Sequence, residues 1–338
     1  MRWRPGPIVI LLGLAALVPV LDLLLPAAFA LSEAVRTVFL YAILALGLNV
    51  VTGYAGLLNL GIAAFMAVGA YAFGILTCEI YPFQFGFWSA LALTLPIGAA
   101  AGVILGAPTL GLRGDYLAIV TMGFGEIVQD VLKNLDSITK GMQGINPLPA
   151  PALGGEQWTA DDERKWFYLL FVLLALTVLA VRNLERSRLG RAWFSIREDE
   201  LASRAMGIRA ERAKLVAFAT GAALAAFAGG LSASLLSSTG EPNNYDFQVS
   251  ILALCIVIVG GIGSIAGVLV GALVMVGLNS IVLVKATAWM AAQGIGSQGN
   301  VLLSPNNWKF LIFGLALVIA VRVKPDGLLP PRLEGTRR

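Results

Sequence analysis

Long apolar runs, broken by glycine clusters and short charged stretches, set the pattern of this chain. Runs of about 20 apolar residues have the length that crosses a bilayer as helix. The pattern predicts ten spans, at 8–28, 33–51, 58–77, 87–109, 115–135, 166–181, 213–238, 249–262, 266–284 and 308–322. The run at 249–262 is short for a straight crossing, and the glycines between Gly260 and Ser264 mark a tight turn after it. The run at 115–135 carries Asp115, Glu126 and Asp130, so it reads as tilted, broken or buried inside the bundle.

Composition supports the same class. The chain is 58% hydrophobic and 13% charged, with a mean hydropathy of +0.81; a soluble domain carries about 25% charged residues. The fold class is therefore an all-α polytopic membrane protein, a single transmembrane domain over residues 1–338. Its loop charges set an orientation. With the N-terminus inside, segments 1–7, 52–57, 110–114, 182–214, 263–265 and 322–338 hold 17 of the 24 Lys and Arg residues, and the outer positions hold 7. That bias favours both termini in the cytoplasm, with a coupling loop at 182–214 and a short tail at 323–338 on the same side. Residues 1–30 admit a second reading, because Arg2, Arg4, an apolar run and Ala28-Phe29-Ala30 also resemble a secretory signal. The length of the run and Asp22 favour an uncleaved first helix.

The residue inventory narrows the chemistry. No histidine occurs, which removes His-based metal sites and proton relays. Cys78 and Cys255 form no CxxC pair and read as packed thiols. No GxxxxGK[ST] pattern exists, so the chain has no P-loop of its own for ATP, and no cofactor is expected in it. Glycines such as Gly53, Gly61, Gly69, Gly260 and Gly271 let helix backbones approach closely in lipid. A faint internal echo relates ILAL at 43–46 to 251–254, with Gly53 and Gly69 matching Gly261 and Gly277.

One island departs from the apolar background. Residues 182–214 hold nine basic residues and five acids. Ser195 followed by Glu198 has the spacing of a capping box, which predicts a helix starting there with Glu198, Asp199 and Glu200 in its first turn. Leu201, Ala202, Ala205, Met206 and Ile208 then share a side, and Gly207 is a natural stop. Three readings apply: a solvated orienting loop, an interfacial helix on anionic lipid, or a docking helix for a cytoplasmic partner. The acids, cap, apolar side and stop together favour docking.

Four stretches also carry a family resemblance: LGLNVVTGYAGLLNLG (46–61) with AAFMAVGAY (63–71), LRGDYLAIVTMGFGEI (112–127), GRAWFSIREDELASRAMGI (190–208) with KLVAFATGAALAAFAGGL (214–231), and GGIGSIAGVLVGA (260–272). The chain resembles the permease subunits of bacterial ABC importers for branched-chain amino acids, in particular the larger of the two paired membrane subunits. The resemblance implies a non-enzymatic transport subunit of a bacterial inner membrane. Its partners would be a second permease, two cytoplasmic ATPases that bind the ATP and Mg, an extracytoplasmic solute-binding protein and membrane lipid, with no nucleic acid. It matches residues 195–208 to the segment that docks on the ATPase. Glu198, Asp199 and Glu200 would then serve register and charge pairing, and Leu201, Met206 and Ile208 would fill a groove ahead of Gly207.

For the solute path the candidates are the intramembrane polar residues Asn49, Thr52, Asn59, Thr121 and Glu126. Any single one serves equally as a partner for backbone or a neighbouring helix. Glu126 stands out because a mid-membrane carboxylate must be paired, protonated or wet. Two departures from the family pattern, Ile62 at a position often held by histidine and TKGMQGI at 139–145, leave a urea or short-amide permease as an alternative. An ion-coupled secondary transporter would need a midplane ion site. A membrane enzyme would need a catalytic cluster, which no His, Cys pair or carboxylate dyad supplies.

Overall fold

A computed structural model describes residues 31–109, 115–153, 156–159, 162–278 and 308–330, with the isolated positions 13, 111 and 280. The expected span at 8–28, the end of the span at 266–284 and the last residues of the tail lie outside the described residues. Eleven α-helices are used below, numbered in chain order: α1 (Leu31–Leu48), α2 (Ile62–Thr77), α3 (Phe87–Thr109), α4 (Asp115–Asn134), α5 (Glu163–Arg186), α6 (Arg188–Glu198), α7 (Glu200–Ala205), α8 (Ala210–Leu235), α9 (Phe247–Gly260), α10 (Ile265–Gly277) and α11 (Lys309–Val323). A two-residue antiparallel ladder pairs Ala152–Leu153 with Glu156–Gln157. Among the described residues five helical stretches are long and apolar enough to cross a membrane: Ala34–Tyr54, Phe87–Thr109, Glu163–Arg186, Ala210–Leu235 and Pro242–Gly260.

Several boundaries differ from the sequence reading, each for a local reason. The expected short span at 249–262 is preceded by a 3-10 turn at Pro242–Tyr245, and the combined stretch reaches 19 residues. Asp246 caps α9, its carboxylate accepting from the amides of Gln248 (3.0 Å) and Val249 (3.3 Å). The run at 115–135 is one continuous helix despite its acids. The expected span at 58–77 is cut to 16 residues, because Ala55–Gly61 is not helical.

Helix α8 is the hub. It packs on α1, α2 and α3 through glycine and alanine, and its neighbours answer with glycines of their own. A methyl group on Gly47 would stand 2.8 Å from the Gly221 carbonyl, and one on Gly102 would stand 2.7 Å from that of Phe218. At Gly69 and Gly229 the added methyl would fall on the backbones of Ala226 and Met66. In lipid, where no hydrophobic force joins helices, such backbone-close contacts supply the dispersion energy that holds them. Larger side chains fill other seams, as where Phe39 of α1 meets Phe167 of α5 at 5.2 Å.

Hydrogen bonds between loops sort them into two ends. One, here the proximal end, gathers residues 53–57, the α5–α8 connection, the α9–α10 turn and residues 324–330. Asn49 Oδ1 accepts from Gly263 N at 2.8 Å, and Leu329 N donates to Gly260 O at 2.9 Å. The distal end joins residues 144–148 to 237–240, where Ile145 N donates to Thr239 Oγ1 at 2.8 Å and Thr239 N to Ile145 O at 3.0 Å.

Candidate coupling site and solute path

The charged island forms two helices, not one. Ser187 caps α6, its hydroxyl accepting from Gly190 N at 3.2 Å. Trp193 is wholly buried on the inner side of α6, and its indole N–H donates to Ala213 O at 2.7 Å. At Asp199 the backbone turns extended (φ −154°, ψ 109°), and α7 begins immediately after it. The predicted start at Ser195 is thus corrected: Asp199 is the cap, accepting from Leu201 N (2.8 Å) and Ala202 N (3.0 Å). Ser195 lies inside α6 and shares a 2.6 Å hydrogen bond with the hydroxyl of buried Ser203. Gly207, at φ +85°, ends α7 in the left-handed region, with Ile208 N donating back to Ser203 O at 3.0 Å.

The three acids therefore occupy three environments. Glu198 is exposed at the last residue of α6, where the helix dipole disfavours a carboxylate. Asp199 is spent on capping. Glu200 turns inward, with Oε2 2.8 Å from Lys214 Nζ of α8 and Oε1 2.8 Å from Arg204, which also reaches Glu211 at 2.8 Å. Lys214 has only 7% of its side chain exposed, so it needs that partner. The Lys214 ammonium first, with Arg204, holds the Glu200 carboxyl below the usual carboxylate range against the opposing effect of burial. Of the apolar residues, Leu201 is 71% and Met206 84% exposed, while Ile208 packs partly inward. The outward product is a short apolar face, Leu201 and Met206, beside the Glu198 carboxylate.

The proposed path residues divide. Asn49 and Thr52 sit at the proximal end, where Thr52 Oγ1 donates to Leu57 O at 3.0 Å. Asn59 and Thr121 meet deeper, around the start of α2. Thr121 Oγ1 accepts from Leu60 N at 3.0 Å, Asn59 Oδ1 from Gly61 N at 2.9 Å, and Ser250 Oγ from Ala63 N at 3.1 Å. Side chains thus satisfy the amides of Leu60, Gly61 and Ala63 around the break, as a broken segment inside a membrane protein requires. Glu126 is exposed on α4 and lines a slot that also touches Met122, Gln129, Leu60, Asp246 and Ser250. The slot measures about 10 Å³, room for about one water and not for an amino acid. Lys214, Asp246 and Ser250 take part in these contacts without belonging to the residues that composition and spacing mark. An acid just before the apolar run at 247 signals the Asp246 cap, whereas the pairing of Glu200 with Lys214 depends on a chain reversal that periodicity does not encode.

Comparison with known proteins places this geometry. Residues 30–321 match the family model described as branched-chain amino acid transport system / permease component. The chain belongs to this permease family. It is 38% identical over 312 residues to the high-affinity branched-chain amino acid transport system permease protein LivM of Salmonella typhimurium, covering 86% of this chain and 68% of that one. A probable LivM of Methanocaldococcus jannaschii is 24% identical over 87% of this chain and 91% of its own. The LivH permease protein of Escherichia coli is 23% identical over 86% and 91%. No solved structure matches the permease. The two-helix island, α6 and α7, and the broken segment before α2 both fall within the matched range.

Proposed function

We propose that this chain is one of two paired permease subunits of an ATP-driven importer for branched-chain or related amino acids in a bacterial cell membrane. Family membership across residues 30–321 carries the reading. Similarity to proteins named LivM and LivH, both permease components, supports a pair of permease chains. With no P-loop here, ATP and Mg belong to two separate cytoplasmic ATPases, and an extracytoplasmic binding protein delivers the solute. Ten spans with cytoplasmic termini agree with the Lys and Arg bias. The proximal end is then cytoplasmic, and α6–α7 is the ATPase-docking element, with Leu201 and Met206 as groove fillers and Glu198 as the free charge.

The slot at Glu126 is the constriction of the solute path. Its small volume corresponds to a closed state, and ATP opens it only insofar as the ATPases bind the open and closed permease differently. The test is reconstitution of the permease pair with its ATPases and binding protein in liposomes. Radiolabelled leucine accumulates only with ATP and binding protein, and valine or isoleucine competes. Uptake by this chain alone without ATP, or competition by urea in place of leucine-type solutes, would defeat the reading. In that assay Glu126→Gln lowers leucine uptake by about ten-fold with assembly intact.

A further inference from the structure

Between the docking element and the bundle lies a short segment with unusual backbone. Helix α1 does not stop at Leu48 but continues as a π-helical stretch, Asn49–Tyr54. Wide π turns are rare and concentrate at functional sites. Here the stretch is almost wholly buried, yet Asn49 Nδ2 and Tyr54 OH have no hydrogen-bond partner among the described residues. Buried unpaired polar groups are costly, so this winding needs support from outside the helix.

Two contacts provide it, one at each end. At its start, Asn49 Oδ1 accepts from Gly263 N of the α9–α10 turn, and Gly53 lies so close to that turn that a methyl on it would stand 2.7 Å from Gly263 N. At its finish, the guanidinium of Arg197 donates to Gly53 O. Its alkyl stem lies on Gly56, where a methyl would come within 2.9 Å of Arg197 Cγ and where φ is +70°. Phe194, one α-turn earlier on α6, stacks against Tyr54 at 5.1 Å. A cation at a helix C-terminus complements the dipole there, so Arg197 caps α1 from another element.

Resting on the reading of α6–α7 as the ATPase-docking element, we propose that Arg197 is the positioning residue through which that element sets the winding of α1 at Asn49–Tyr54. Arg197 is two residues from the cap of α7, so displacement of the docking element moves the guanidinium with it. Releasing Gly53 O lets the stretch rewind, which draws Asn49 from the α9–α10 turn and shifts the broken segment leading to α2. ATPase state is thereby passed to the bundle through one side chain.

The experiment uses the assembled complex in nanodiscs. In the wild type, amide exchange at residues 50–57 differs by about ten-fold between nucleotide-free and ATP-bound states. In Arg197→Ala that nucleotide dependence and leucine uptake are both lost, while co-purification with the ATPases and ATP hydrolysis without solute stay at the wild-type level. Arg197→Lys restores part of both, since a point charge reaches the same carbonyl. Gly56→Ala reproduces the loss by displacing the Arg197 stem with the charge retained. Normal uptake or intact nucleotide dependence in Arg197→Ala overturns the proposal. So does loss of co-purification, which would make Arg197 an ATPase contact. A wild-type complex without ATP-driven uptake is the separate result that removes the importer reading itself.

Discussion

Asp199, Glu200 and Glu198 are adjacent acids that do three different things, and single substitutions separate them. Asp199→Ala removes the α7 cap and costs about 1 kcal/mol of local stability, read as faster amide exchange at Leu201 and Ala202. Glu200→Ala leaves the Lys214 ammonium nearly buried without its carboxylate, costing about 2 kcal/mol. The same pair predicts a pH response. Because the folded-state pKa of Glu200 is lowered, its contribution is fully present above the ordinary carboxylate value of about 4 and is lost as pH falls through the lower folded value. Protection of the α7 amides, taken relative to their intrinsic exchange at each pH, therefore falls in acid in the wild type but is unchanged by this titration in Glu200→Gln. These roles are partly legible in the sequence. The stop at Gly207 and the exposed Leu201 and Met206 follow from local spacing. The choice between Ser195 and Asp199 as cap does not, since both offer a side-chain oxygen at a plausible start and burial of Ser203 and Trp193 decides between them.

Among elements, the long apolar helices were readable because length and hydropathy suffice to define them, and their ends moved by a few residues. What periodicity misses is winding. Nothing in NVVTGY distinguishes a π stretch from ordinary helix, and the non-helical path at 55–61 has the amide of Leu60 satisfied by Thr121, distant in sequence, and that of Gly61 by its own Asn59. Gly53 lies at the end of one apolar helix and Gly261 just after another, and each break leads into a shorter apolar helix, α2 or α10. Helix seams yield a prediction at this scale. Gly69→Val and Gly229→Val drive a side chain into the backbone of Ala226 or Met66 and cost about 1–3 kcal/mol each. Their thermal midpoints in detergent fall accordingly, whereas Gly123→Val, at an open position on α4, leaves the midpoint unchanged.

Across the whole molecule, among the described residues, the loops at 53–57, 187–209 and 261–264 and residues 324–330 meet at the proximal end. The docking surface proposed for that end must be tested without disturbing what holds it. Reversing Glu200 would set a cation against Lys214 and injure the α7–α8 joint, so failure of assembly in such a variant would not separate folding from contact. Leu201 and Met206 are suitable instead, because they are 71% and 84% exposed and neither supports the fold. Leu201→Glu with Met206→Glu places charge on the apolar face proposed to meet the ATPase, while the cap at Asp199, the Glu200–Lys214 pair and the Gly207 stop remain. The expected outcome is normal membrane insertion and an unchanged thermal midpoint, with ATPase co-purification weakened by about 2–4 kcal/mol, a loss of about 30-fold or more in affinity. Glu198→Lys alone should weaken assembly less and in a salt-dependent way, as a rim charge does. If both variants bind the ATPases as the wild type does, the docking surface lies elsewhere on the proximal end.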